Sequence, residues 1–168
     1  GILLTNLGTP DSPTKLDLKR YLSEFLSDSR VVNPDGFFKK IAWKIVLHSI
    51  ILRKRPEVSA KNYAKIWDKF GPGSPLLNIT KLQLLGVKTI LKDSDSFADF
   101  ELEFELGMRY GNPSIASALR DLKAKQCEKI IVLPLYPQNS SATTLSTLDV
   151  INNELNTWSN KPKLVFIE

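Results

Sequence analysis

The sequence predicts an α/β protein organised around an open parallel β-sheet, and three observations carry that reading. Ile130–Leu135 is a continuous apolar run of strand length, as expected of a strand covered on both faces. Phe100, Leu102, Phe104, Leu106 and Met108 alternate with Glu101, Glu103 and Glu105, the period-two signature of a strand with one buried and one wet face. Helical patterns separate these segments from each other and from the apolar run Leu164–Ile167. Strand, helix, strand, helix, strand implies right-handed crossovers. With a further strand at Gly1–Leu4, the sheet has about four strands flanked by helices, a doubly wound arrangement.

Along the chain, Gly1–Leu4 reads as a buried strand that runs into a Gly/Pro turn in "TNLGTPDSP". A helix is expected from about Pro13, with Leu18, Tyr21, Leu22, Phe25 and Leu26 at helical spacing. Ser12 is placed to cap it, and Pro13 to open it where a missing N–H costs nothing. The same device marks helix starts at Ser74-Pro75 and Asn112-Pro113. Asn33–Gly36, "NPDG", is a turn, followed by a basic apolar stretch and a helix near Val58–Phe70. The loop "GPGSP" precedes a helix over Leu76–Leu91, which "DSDS" breaks. After the alternating strand, a helix from Pro113 carries Ile115, Leu119 and Leu122, and another covers roughly Thr144–Trp158.

A length of 168 residues suits one domain with a sizeable core. A content of 42% hydrophobic and 24% charged residues excludes a disordered chain. The single cysteine, Cys127, excludes an internal disulfide, and with no secretory segment in view a reducing cytoplasm is expected. An apolar strand at the very start and another just before Glu168 lead us to expect part of a longer protein. The formal charge of +5 is uneven, because residues 37–56 hold Lys39, Lys40, Lys44, Arg53, Lys54 and Arg55 and no acid, and the remainder is about neutral. No recognition signature accompanies this basic segment, so no nucleic-acid partner is expected. "IAWKIVLHSIILRKR" is too short and too charged to span a bilayer, which needs about 20 apolar residues. Two readings remain for it: a peripheral membrane contact through residues 41–55, at the inner membrane face, or a buried core helix.

Several chemistries find little support. "NLGTPDSP" has one glycine where a dinucleotide cradle needs three, and no P-loop lysine follows. His48 and Cys127 are each the only residue of their type and have no partner at metal-ligand spacing. Glu101, Glu103 and Glu105 suit a solvated acidic face, and Cys127 suits core filler. The ends of the strands are richer. "TNLGTP", "RYGNP" and "YPQNSSATTLS" each follow an expected strand and together suit a binding rim, since open parallel sheets bind ligands outside the carboxyl ends of their strands.

The segments "ILLTNLGTPDSPT", "YLSEFLSDSRVV", "YAKIW" with "GSPLL", "MRYGNPSI" and "VLPLYPQNSSATT" resemble, in order and spacing, those of bacterial ferrochelatases, from about Ile2 to Asp149. That family inserts ferrous iron into a porphyrin to make haem. The resemblance implies a Rossmann-like domain, the first of two with a porphyrin cleft between them. It places Tyr63 and Ser74 at porphyrin contacts, Arg109 and Tyr110 on the cleft wall, and Asn6 and Leu7 against the macrocycle. Arg53 and Lys54 fall near where the family binds porphyrin carboxylates. A flat apolar disc with carboxylate tails needs apolar faces, aromatic edges and cationic donors, which these residues supply. Along a strand, Met108 and Tyr110 face one side and Arg109 the other.

The sequence also departs from the family pattern. "YPQNS" puts Asn139 where the family has tyrosine, and the loop before Ser74 is expanded to "DKFGPGSPLL". Ser141 stands where some relatives carry an iron–sulfur ligand cysteine, so no cluster or other bound cofactor is implied, and ferrous iron enters only as substrate. The family's catalytic histidine and iron-handling glutamate belong to its second half. By resemblance, binding energy puckers the porphyrin and that histidine removes the pyrrole protons. The present residues then supply porphyrin walls without the metal-handling groups. A non-catalytic porphyrin- or haem-binding module and a chelatase for another metal are the alternative readings.

Overall fold

The computed structural model describes residues 1–167. Four strands form one parallel sheet: β1 (Ile2–Thr9), β2 (Phe104–Gly111), β3 (Lys129–Pro134) and β4 (Lys163–Phe166), in the order β2-β1-β3-β4. The Rossmann-like α/β arrangement expected from the sequence is therefore present. Ile2 lies beside Ile131, and Ile131 beside Val165, which fixes the register of the central strands. The helices are α1 (Lys15–Ser27), α2 (Phe37–Val46), α3 (Leu52–Ala64), α4 (Pro75–Lys92), α5 (Ile115–Ala124) and α6 (Ser146–Leu155).

Contacts divide the chain into two compact units. The first comprises Gly1–Leu7, Ile79–Arg109 and Pro113–Glu168, and the second Gly8–Asn78 with Tyr110–Asn112. The core of the first packs Leu3, Ile130 and Val132 against Ile115, Leu119 and Leu122 of α5 and Ile151 and Leu155 of α6. Trp158 closes it, and Cys127 packs at its margin as expected of a small apolar filler. The second unit is helical. There α1 packs on α3, and α2 and α3 are joined by a π-helical turn at Leu47–Ile51. Pro56 sits inside α3, where it cannot donate to the preceding turn, so two known sources of helix distortion fall within a few residues.

Two strands are longer at their carboxyl ends than expected, whereas β3 and β4 each end one residue earlier. β1 continues through Asn6–Thr9 and β2 through Arg109–Gly111, so residues expected on post-strand loops lie within the sheet. Conversely, β2 starts at Phe104 and not at Phe100, which is 66% exposed after a 3₁₀ turn at Asp95–Phe97. Pairing decides this boundary: the N–H of Ile2 donates to Glu103 O, and alternation upstream of that has no partner strand.

Four helix starts also shift. Thr14, not Ser12, caps α1 by accepting from the N–H of Asp17 at 3.3 Å, and the Ser12 hydroxyl bonds Thr14 and Asp17 side chains instead. Ser114, not Asn112, caps α5 by accepting from the N–H of Ser117 at 3.1 Å. A π-helical turn at Ser141–Leu145 leads into α6, which ends at Leu155. At Ser74-Pro75 the expected start holds, with α4 opening at Pro75. The helix expected near Val58–Phe70 begins earlier, at Leu52, and stops at Ala64. Left-handed residues at Asp68, Gly71 and Gly73 follow.

Candidate functional site

In the first unit the expected site residues are Asn6, Leu7 and Arg109. Asn6 is 9% exposed, and its side chain is committed internally. Its Nδ2 donates to Thr80 Oγ1 of α4 at 3.1 Å, and its Oδ1 accepts from the N–H of Leu7 at 2.8 Å. The asparagine thereby fixes the backbone at Leu7, whose side chain is half-buried. Arg109 is half-buried while Met108 and Tyr110 are fully buried, the alternation a strand requires. Its Nε donates to the carbonyl of Ser146 at 3.1 Å and to Ser146 Oγ at 2.6 Å, at the start of α6. Tyr136, after β3, bonds Thr147 Oγ1 at 2.9 Å, and burial raises its phenol pKa.

The second unit holds Arg53, Lys54, Tyr63, Ser74 and Tyr110. Two of these meet through a third tyrosine. Tyr21 of α1 has its ring edge-on to Tyr63 at 6.4 Å and to Tyr110 at 6.5 Å, while Phe25 meets Tyr110 at 5.1 Å. Such edge-to-face pairs add roughly 0.5–1.5 kcal/mol each beyond burial. Tyr110 is fully buried and its hydroxyl donates to Asp28 Oδ2 at 2.8 Å. Tyr21 donates to Gly8 O at 3.4 Å. Burial, then the neighbouring Tyr63, drives the Tyr21 pKa far above the ordinary phenol value. Tyr63 is half-buried, and Ser74 is buried at 5% exposure with its carbonyl accepting from the N–H of Asn78.

Arg53 and Lys54 are exposed on α3. Neither lines the cavity of about 340 Å³ in this unit, whose walls come from Leu22, Phe25 and Leu26 of α1, with Trp43 and Ile51. Its polar lining comes from Arg55 and Ser59, neither of which the sequence reading singled out. The signal was available: Ile51, Arg55 and Ser59 stand four residues apart and so share one helix face. Trp43 is held by its Nε1 donating to Leu26 O at 3.0 Å. It also lines a second cavity, of about 170 Å³, with Lys40, Lys44, Val32, Pro34 and Leu47.

The basic apolar segment is divided. Leu47 and Leu52 are buried, whereas Phe37 (71%), Phe38 (84%), Ile45 (60%) and Ile50 (54%) stand exposed. Among the described residues no helix is long and apolar enough to cross a membrane. His48 is exposed with Nδ1 2.9 Å from Lys44 O, and no group of three or more described His, Cys, Asp or Glu residues could hold a metal ion.

The chain thus combines an α/β unit built on a Rossmann-like parallel sheet with polar strand ends and a helical unit that carries an apolar cavity with an arginine in its lining. The ferrochelatase family model matches residues 1–168, and the chain belongs to the ferrochelatase family. It is 49% identical over 167 residues to a ferrochelatase of Hydrogenovibrio crunogenus, covering 99% of this chain and 43% of that protein. It is 45% identical to ferrochelatase 2 of Shewanella oneidensis, covering 99% and 48%, and 46% identical to a ferrochelatase of Thioalkalivibrio sulfidiphilus, covering 99% and 43%. The chain thus spans somewhat less than half the length of these relatives.

Proposed function

We propose that this chain forms the porphyrin-receiving part of a ferrochelatase, which inserts ferrous iron into protoporphyrin IX in haem biosynthesis. The observation that carries the reading is the family match over the whole chain, joined to an apolar cavity with a cation in its lining. A porphyrin presents a wide apolar face and carboxylates at its edge. Phe25, Leu22, Leu26, Trp43 and Ile51 suit the face, and the exposed cations Arg53, Lys54 and Arg55 suit the carboxylates.

Within this proposal the site residues divide by what their surroundings permit. Leu7 and Tyr63, both half-buried, can touch the macrocycle directly. Asn6, Tyr110 and Ser74 are buried and act by holding their neighbours in place: Asn6 through Leu7, and Tyr110 through Tyr21 and Phe25. Arg109 contributes positive charge at the end of β2, oriented by Ser146. The base that removes pyrrole protons and the groups that hand over iron come from the remaining length of the enzyme, and ferrous iron is substrate throughout. The exposed apolar and basic residues of α2 and the following turn make peripheral contact with an anionic membrane surface.

The test is anaerobic incubation of the complete enzyme with ferrous iron and protoporphyrin, followed by the Soret band of haem. Turnover is expected for the complete enzyme and none above the uncatalysed rate for residues 1–168 alone. Porphyrin binding without turnover by the complete protein would favour the carrier reading. Faster insertion of cobalt than iron would favour a chelatase for another metal. Turnover by residues 1–168 alone would overturn the division of labour.

A further inference from the structure

The face that α2 turns towards its own unit is not uniformly apolar. Lys40, Trp43, Lys44 and Leu47 stand at i, i+3, i+4 and i+7, the spacing of a helix stripe that ordinarily packs a core. They line one side of the cavity of about 170 Å³, and the end of α1 with the chain after it lines the other, where Ser27, Ser29 and Asn33 are the polar members. Two of the four inward positions are therefore lysines that face hydroxyls and an amide. Neither Asp28 nor Asp35 lines the cavity, and Asp28 accepts from the Tyr110 hydroxyl and the Arg30 N–H. Among the described residues neither lysine is ion-paired. Like charges one helical turn apart repel, and nothing in the lining offsets them.

The adjoining row of α2 is apolar and open. Phe37 stands three residues before Lys40 and Ile41 three before Lys44, and residues three apart are neighbours on a helix surface. Phe37, Ile41 and Ile45 follow one another by a turn, and all are exposed. Across the helix the order is an inward stripe with Trp43 and Leu47, then a cationic row, then an exposed apolar row.

We propose that this cavity seats the phosphate of an anionic phospholipid, with Lys40 and Lys44 as its cationic contacts and the acyl chains along Phe37, Ile41 and Ile45. The inference rests on the peripheral membrane contact proposed above and assigns one headgroup site to it. Lysine binds phosphate as a point charge, and Ser27, Ser29 and Asn33 supply further donors for its oxygens. The volume is half that of the cavity that shares Trp43, which suits a headgroup better than a macrocycle. The apolar row identifies the source, because a lipid covers it with its chains and a soluble phosphate does not.

The test is flotation of the complete protein with vesicles of phosphatidylcholine alone, and of equal parts phosphatidylcholine and phosphatidylglycerol. Three variants each remove one charge from α2: Lys39→Gln, Lys40→Gln and Lys44→Gln, of which Lys39 lies outside the cavity lining. Affinity for the anionic vesicles is expected to fall about tenfold or more in Lys40→Gln and in Lys44→Gln, the loss of a charged hydrogen bond. In Lys39→Gln it should fall about fivefold at most, the loss of one charge near the surface. Equal losses in all three would overturn the headgroup site and leave the membrane contact standing as general charge attraction. No preference for anionic vesicles in the parent would overturn the membrane contact and the site with it. Calorimetric binding of inorganic phosphate without vesicles, abolished by Lys44→Gln, would overturn the lipid as its source.

Discussion

Gly8 lies in β1 with a φ of +105°, and a Cβ built on it would stand 1.8 Å from the Tyr110 carbonyl oxygen and 2.8 Å from its carbon. Gly36, ahead of α2, has a comparable φ of +88° with nothing within 4 Å, and Gly86 in α4 has open space around it and no positive φ. The three therefore separate backbone strain from steric exclusion. For Gly86→Ala a gain of about 0.5–1 kcal/mol is expected, the helix-interior difference between the two residues. Gly36→Ala should lose about 1–3 kcal/mol from strain alone. Gly8→Ala carries the same strain and an overlap of roughly 1.5 Å against backbone, taking ~3.3 Å as a normal C···O approach. No rotamer relieves that contact, so the chain must move away from Tyr110. At about 1 kcal/mol for each displaced hydrogen bond, displacing two brings the total to about 3–5 kcal/mol. Denaturant unfolding of the three variants, followed by circular dichroism, measures the series. A Gly8→Ala loss within about 1 kcal/mol of Gly36→Ala would refute the argument from close approach.

Four further outcomes follow from the second unit. Tyr110→Phe removes a donor from Asp28 within a buried aromatic cluster and should cost about 1.5–3 kcal/mol of stability, with unfolding midpoints as the check and an unchanged midpoint as the refutation. Tyr21 has its pKa raised by burial, so it favours folding fully below the ordinary phenol value of about 10 and loses that contribution as pH rises towards its folded value. Stability should thus decline above about pH 10 in the parent and decline less in Tyr21→Phe. Arg55→Ala in the complete enzyme should raise the Michaelis constant for porphyrin about tenfold or more, the equivalent of one charged hydrogen bond, and Arg55→Lys should recover part of it. In vesicle flotation at low salt the complete protein should prefer anionic over neutral lipid, and Phe38→Ser with Ile45→Ser should reduce that preference; no preference in the parent would sink the membrane reading.

The sheet was legible because its signals are local and strong. The apolar run of β3 and the alternation of Phe104, Leu106 and Met108 each report a strand without help from the rest of the chain. The strand ends were not legible, for a physical reason. Asn6, Arg109 and Tyr110 look like loop residues because they are polar, yet each has a partner far away in sequence: Thr80, Ser146 and Asp28. A buried polar side chain is affordable in a strand only when such a partner exists, and local sequence does not reveal it. Capping failed in a milder way. "SPT" offers two candidate hydroxyls at the start of α1, and only the spacing from Thr14 to the Asp17 N–H decides between them.

The site residues divide along the same line. Arg53 and Lys54 were singled out because charge is conspicuous in a sequence, yet neither lines the cavity. Arg55 is equally charged, but its position is shown by what lies one helical turn to either side, Ile51 and Ser59. The difference bears on binding. All three are exposed, but an arginine in the lining of an apolar cavity can lay its stem along the wall and present its head to a carboxylate there. The aromatic residues follow the reverse logic. Tyr110 is the conspicuous member of "MRYGNP", but it is fully buried and bonded through its hydroxyl, and Tyr63 keeps the more open ring of the pair that meets at Tyr21. If the proposed porphyrin site is right, shape at the ligand depends on Tyr63 and Phe25, and the fully buried tyrosine sets where those rings stand. Substitutions at Tyr110 should accordingly register first as lost stability, and substitutions at Tyr63 first as lost affinity.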